Sequence, residues 1–378
     1  MDWQKWRTLF PVTERYIYLN HAAVSPISCR TQAAMNAFLA HTTHYGFENF
    51  EPWFDQIESC RGLAARLIGA STDEIAFTKN TTQGLILAAN GIQWQDGDNV
   101  IITEAEFPAN VYPWWNLKDL GLETRMVAEK DKRILLDDIE AAIDDKTRAV
   151  SISHVEFASG FRNDLHQIGE ICQTKNLWFV VDAIQSLGVL DLDVKACQID
   201  ILVADGHKWL LAPEGAAIFY CNLQKLDLLR NTNVGWASVI NESDFLTLNL
   251  TQKPNAGRFE EGSYNTVGLC NLKASLSLLL GIGLAKIEQR VLDLTSHLIS
   301  HLEEKVTVFK SYRPSRREVG DCRFPKWPFL LGPPVSDFNP QRFCLHQSCW
   351  NDKACLSLLR YLPRTGFRVP DSTLVVSG

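Results

Sequence analysis

Between residues 99 and 220 five short apolar runs alternate with amphipathic stretches, and this alternation limits the chain to few folds. The runs are NVIIT at 99–103, AVSIS at 149–153, WFVVD at 178–182, ILVA at 201–204 and AAIFY at 216–220. Each is short and rich in β-branched or aromatic residues, as a buried strand requires. LLDDIEAAI at 135–143 and LHQIGEICQTK at 165–175 instead carry apolar residues at helical spacing. Strand–helix alternation predicts an α/β domain built on a mainly parallel sheet. Helices covering both faces of such a sheet explain strands that are apolar throughout. Ligands bind beyond the carboxyl ends of these strands, so the residues just after each run are the functional candidates.

At 378 residues the chain is too long for one typical core and suits two domains, a large one at 1–255 and a smaller α/β one at 256–378. A helical segment at about 269–302 is expected to link them. A net charge of −7 and a pI of about 5.8 give no reason to expect nucleic acid or an anionic membrane surface as partner. The longest apolar stretch, near 276–280, falls far short of a membrane span, and MDWQKWRTLF lacks a signal-peptide core. A cytoplasmic location is the expectation. The ten cysteines show neither CxxC nor zinc spacing, so free and mostly buried thiols are expected, with no metal site.

Three stretches carry chemistry. In WFVVDAIQSLG, Asp182 ends a buried run, where an unpaired carboxylate is expensive. Alone it reads as a helix cap or an ion pair, while the sharper reading aims it at a pyridinium nitrogen. In ADGHKWLLAPEG, Lys208 sits just past a strand end beside an apolar Trp-Leu-Leu. A lysine in a loop is ordinarily a solvated group, but an apolar setting lowers its pKa and frees its amine for Schiff-base chemistry. In KNTTQG, Thr81 and Thr82 open a helical stretch, either as an ordinary threonine cap or as an anion site of backbone N–H groups. The chain has no GxxxxGK and no GxGxxG, which argues against nucleotide and dinucleotide chemistry.

Taken in order, NTTQG, EFPANVYPW at 106–114, VDAIQ, DGHKW and RFEEGSYNTVG at 258–268 resemble the class V aminotransferase family. YLNHAAVSP at 18–26 is similar to that family's N-terminal substrate loop, and the likeness runs from about 16 to 304. The resemblance implies a fold-type-I enzyme dependent on pyridoxal 5′-phosphate, acting on an amino acid as a homodimer with sites at the subunit interface. Lys208 would carry the cofactor as a Schiff base and shuttle the α-proton, Asp182 would pair with the ring nitrogen, and Gln185 with the ring hydroxyl. Thr81, Thr82 and His207 would cradle the phosphate, with Ser263 reaching the phosphate in the partner subunit. Phe107 would stack on the ring, and Asn20 and His21 would lie near the substrate.

Transamination, epimerisation and lyase chemistry share this machinery. Cysteine desulfurase or selenocysteine lyase chemistry is the weaker alternative, because in the desulfurases of the family it resembles, histidine stands where this chain has Phe107. Nor do Cys344, Cys349 or Cys355 sit in a segment like the family's mobile cysteine loop. An alternative of another class is a pseudoenzyme that keeps the fold without turnover.

After about residue 305 periodicity disappears, four of the ten cysteines follow position 320, and eight of the fifteen prolines follow 310. This change of texture predicts that residues 305–378 are read out of frame, against the alternative of a divergent, loop-rich small domain. Codons can be chosen for EVGDCRFPKW at 318–327 so that reading from the second base gives KSGIVAFQSG, similar to the family's small-domain strand. The same offset through CWNDKACLSLL at 349–359 permits AGMIRPAFHFY, in which an arginine replaces Lys353. The glycines arising from Trp327 and Trp350 are forced, since tryptophan has one codon. Only arginine offers a rigid fork for a substrate carboxylate, so the chain as it stands is expected to be weakly active or inactive. Resequencing the gene should reveal a shifted frame upstream of codon 318. A clean frame, with this same peptide found by mass spectrometry, would refute the idea.

Overall fold

The computed structural model describes residues 2–302 together with a two-residue strand at 343–344. Its strands are β1 (Ile17–Tyr18), β2 (Ile75–Thr78), β3 (Asn99–Thr103), β4 (Glu123–Val127), β5 (Thr147–Ser153), β6 (Trp178–Asp182), β7 (Ile201–Asp205), β8 (Ala217–Cys221) and β9 (Phe343–Cys344). The longer helices are α1 (Cys29–Tyr45), α2 (Glu51–Ile68), α3 (Thr81–Gly91), α4 (Leu165–Thr174), α5 (Thr266–Ile282) and α6 (Leu284–Leu302). All five apolar runs are strands of one seven-stranded sheet, ordered β2-β8-β7-β6-β5-β3-β4. β8 runs antiparallel to β2 and β7, and the remaining pairs are parallel. β9 pairs in parallel with β1, Ile17 opposite Phe343.

Successive side chains of a strand point to opposite faces, so a doubly covered sheet needs two apolar layers. Val181, Leu202, Ile218 and Ile152 face one layer with α2, α4 and α5, which contribute Ile57, Ile168 and Leu276. Val180, Val203, Phe219 and Ala149 face the other, where α3 supplies Leu85 and Leu87. The sheet's centre is therefore dry on both sides, and polar groups at its strand ends inherit that dryness.

Two sequence expectations change in detail. The 269–302 segment is two helices, bent by 77° between α5 and α6. Gly283 breaks it with φ of +96°, a conformation that L side chains rarely adopt. The helix expected at 135–143 covers only Leu136–Ala141. No single helix among the described residues is long and apolar enough to cross a membrane. The expected frame shift, Lys353, Cys349 and Cys355 lie outside the described residues, and of Cys344 only its place in β9 is described.

The seating of α3 depends on Gly84. A Cβ there would meet Val203 Cγ1 at 2.5 Å and Cγ2 at 2.9 Å. Val203 is fully buried in β7 and cannot yield like the tip of a long side chain. Overpacking of this kind costs about 1–3 kcal/mol. That outweighs the roughly 1 kcal/mol of helix propensity that alanine adds over glycine. Gly84→Ala should therefore unfold at lower denaturant than wild type, measured by circular dichroism; equal or higher stability would show that α3 does not sit this closely on β7.

Candidate active site

β6 and β7 are neighbours at the middle of the sheet, with Asp182 opposite Val203. Their carboxyl ends therefore bring Asp182 and the turn after Asp205 side by side. Asp182 is 2% exposed and accepts one hydrogen bond, from Ile184 N–H at 2.9 Å. Burial pushes its carboxyl up to about 6, opposed by that bond and by the charge of Lys208. Lys208, two residues past Gly206, is half-buried. Burial lowers its pKa, while Asp182 and Asp205 pull the other way. Each of the two groups is thus the other's nearby countercharge in a dry place.

Glycine makes this closeness possible. Gly188 has φ of +101°, and a Cβ on it would lie 2.3 Å from the Trp209 carbonyl oxygen. The loop after Asp182 consequently runs against the loop that carries Lys208. Gln185 spans the same gap, donating from Nε2 to Ala22 O at 3.0 Å and accepting from Trp209 Nε1 at 3.3 Å. Its amide keeps a second N–H for a ring hydroxyl.

The N-terminal segment roofs this corner. His21 stacks on Trp209 with ring centroids 5.1 Å apart and meets Tyr18 edge-on at 5.5 Å. Burial pushes the His21 imidazole down to about 4, so it is neutral at physiological pH. Asn20 lies in the same turn, its carbonyl accepting from Ala23 N–H. Ser25 N–H donates to the His207 carbonyl at 2.8 Å, tying the segment to the Lys208 loop.

On the other side, Phe107 follows β3, and its ring lies 5.7 Å from Lys208 Nζ. Phe157 packs edge-on against it at 5.3 Å, leaving Phe107 47% exposed. A half-exposed aromatic ring beside an amine and a carboxylate is the geometry needed to stack on a planar ring.

α3 points its N-terminus at the same corner. Asn80 is the cap, accepting from Gln83 N–H at 2.9 Å, so neither threonine caps the helix. Thr82 is exposed in the first turn, while Thr81 is buried and accepts from Asp205 N–H at 3.1 Å. The first N–H groups of a helix have no partner within it and attract anions. His207 completes this side. Ser263 is exposed in the loop before α5, within two residues of Glu261, which accepts from Gln83 Nε2 at 3.1 Å. The structure thus gathers Lys208, Asp182, Gln185, Phe107, Thr81, Thr82, His207, Asn20 and His21, and leaves Ser263 facing outward. The residues fit a planar, phosphorylated aldehyde: an amine, a buried carboxylate, a stacking ring and a helix N-terminus.

Two buried acids went unread. Glu106 accepts from Ser153 N–H and Oγ, each at 2.6 Å. Glu156 accepts from Asn163 Nδ2 at 2.8 Å, and its second oxygen is buried without a partner. Burial pushes Glu106 up to about 8; burial and then Glu106 push Glu156 well above the usual carboxylate range. Both follow strand ends, β3 and β5, which was the signal available for finding them. Trp209 and Asp205, flanking Lys208 in the same motif, were likewise missed.

Residues 17–324 match the family model described as aminotransferase class-V. A probable cysteine desulfurase of Methanothermobacter thermautotrophicus is 29% identical over 76% of this chain and 72% of its own length. An uncharacterized aminotransferase of Schizosaccharomyces pombe is 32% identical, covering 79% of this chain and 80% of that one. Among solved structures, the apo cysteine desulfurase of Thermococcus onnurineus NA1 superposes with a TM-score of 0.73 at 28% identity, over 80% of this chain and 77% of that one.

The buried acids make stability depend on pH with a definite sign. Glu106 rises from 4.5 to about 8 on folding, so the folded chain binds more protons between those values. Its contribution is complete below 4.5 and is lost as pH rises through 8. His21 has its ordinary value at 6.5 and drops to about 4, so it is neutral in both states above that window. Between about pH 7 and 8.5, stability to denaturant should fall in wild type and fall less in Glu106→Gln, which has no proton to lose. Parallel slopes would place the titration elsewhere.

Proposed function

The chain belongs to the class V aminotransferase family, and we propose that it activates an α-amino acid through Lys208, with Asp182 as the partner of the cofactor's ring nitrogen. It is an enzyme of the pyridoxal 5′-phosphate-dependent class. The observation that carries the residue assignment is a half-buried lysine just past the end of β7 beside a fully buried aspartate at the end of the neighbouring parallel β6, next to the Phe107 ring.

When bound, the cofactor supplies an electron sink for charge developing at the substrate's α-carbon. The chain supplies the rest. Lys208 holds the cofactor covalently, and its lowered pKa keeps the amine available for that link and for moving the α-proton. Asp182 holds a proton on the ring nitrogen, a task its burial strengthens by removing competing water. Gln185 gives its second N–H to the ring hydroxyl, and Phe107 covers the ring face. Thr81, Thr82 and His207 hold the phosphate with the α3 N-terminus. His21, stacked on Trp209, shields the site from water, and Asn20 stands beside it toward the substrate.

Transamination, epimerisation or lyase chemistry is the reading favoured by Phe107. Five of the described cysteines are buried: burial raises Cys60, Cys172 and Cys221, and pushes Cys197 and Cys270 up to about 11, while Cys29 is half-buried. Cysteine desulfuration is the second reading, supported by the names of the relatives. A homodimer in the cytoplasm is proposed with it. An outward-facing Ser263 suits a site completed across subunits, and Phe245, Leu246, Leu248 and Leu250 form an exposed apolar loop suited to burial there. The division at 255/256 is proposed as a division of sequence, since α5 from the second part packs into the core of the first.

Lys208→Ala should retain the fold by circular dichroism and lose the borohydride-reducible cofactor linkage; a surviving linkage would remove Lys208 from its role. Asp182→Ala should still take up cofactor but lose turnover on the order of 10²–10³-fold, as when a key electrostatic partner is removed. Screening amino acids with and without a keto-acid acceptor should show amino transfer, inversion or elimination. Rapid sulfide release from cysteine, abolished by replacing one cysteine among 344, 349 and 355, would establish the second reading instead.

A further inference from the structure

Beside the anion-binding end of the site lies a carboxylate, where simple electrostatics would exclude one. Asp205, the last residue of β7, is 3% exposed. Its backbone N–H donates to Thr81 Oγ at 3.1 Å, across from one strand end to the first turn of α3. Oδ1 accepts from Gly206 N–H at 2.7 Å. Oδ2 lies 2.9 Å from His207 Nδ1, a close contact without hydrogen-bond geometry. The backbone of His207 is fixed as well, its carbonyl accepting from Ser25 N–H. One residue thus touches both of the buried or half-buried side chains assigned to the phosphate, which stand on different elements.

We propose that Asp205 is a positioning residue for the cofactor's phosphate, locking Thr81 and His207 into a single preformed cradle. The proposal rests on the reading that α3, Thr81, Thr82 and His207 take the phosphate. A bare carboxylate at that place would repel the ligand. Asp205 is not bare: it accepts from Gly206 N–H and lies against the His207 ring, a contact that restricts how that ring can turn. The imidazole ring would otherwise rotate among conformers, and fixing it in advance removes part of the entropy cost of binding. The outcome is a carboxylate that favours an anion without touching it.

The test is the affinity of the cofactor-free full-length chain for pyridoxal 5′-phosphate, followed by quenching of tryptophan fluorescence. Pyridoxal, which can form the same link to Lys208 but lacks the phosphate, is the second probe. Asp205→Asn keeps an acceptor for Gly206 N–H and loses the charge, and Asp205→Ser is a smaller neutral variant read in the same way. Each should weaken the phosphorylated probe about tenfold while changing pyridoxal by less than about twofold. In a His207→Ala background the same replacement at Asp205 should cost little more, because the partner through which it acts is gone. Equal losses for both probes, an undiminished loss without His207, or no loss at all would each overturn the proposal. Wild-type chain that binds the two probes equally would remove the phosphate reading itself, and Asp205's role with it. A wild-type preference that survives in Asp205→Asn removes only the latter.

Discussion

A buried aspartate at the end of one strand and a half-buried lysine just past the end of its parallel neighbour set the terms for the rest of this molecule. Burial acts against the charged form of each, raising Asp182 and lowering Lys208, and each charge opposes that drift in the other. Such an arrangement persists only if the surrounding structure holds it. The dry sheet centre, with apolar layers on both faces, provides that hold. So do Gly188, which lets two loops touch, and Gln185, which is bonded to both the N-terminal segment and Trp209.

What could be read from sequence follows from how deeply each element is buried. The five interior runs were legible because two-sided burial keeps them mostly apolar, with small buried polar residues such as Ser151 the few exceptions. β4, ETRMV, was not, because it is the sheet's edge and exposes part of its length. β2, IAFT, was missed for another reason: four residues are too few to display any period. The break at Gly283 was hidden because apolar residues continue across it, and only the backbone geometry of the glycine marks the bend.

The site divides along a similar line. Lys208, Asp182, Thr81 and His207 were named by motifs in a set order, and the structure brings them to one corner. Asn80 takes the capping role that the threonines were considered for, a distinction of one position that only hydrogen bonds reveal. Glu106, Glu156 and Asp205 were passed over because acidic residues near loops ordinarily face solvent. Their burial arises from strand ends that converge in space, and that convergence is a property of the sheet order, in which β3, β5, β6 and β7 stand together.

That convergence has an energetic consequence. Four carboxyl groups, on Glu106, Glu156, Asp182 and Asp205, crowd the carboxyl ends of four neighbouring strands, with Lys208, His207 and the buried His154 among them. Ionising Glu106, Glu156 and Asp182 together in so dry a place would be costly, and burial raises Glu106 and Glu156, favouring their protonated forms. Of these three, Asp182 has the charge of Lys208 nearby to oppose the effect of burial. A ligand that brings a protonated ring nitrogen to Asp182 adds a second positive neighbour and relieves the same burden. The folded chain without such a ligand therefore holds Asp182 at an electrostatic disadvantage, and the free energy recovered on binding appears as stability of the loaded form. The same desolvation that makes the carboxylate costly would make it an effective partner for a protonated ring nitrogen.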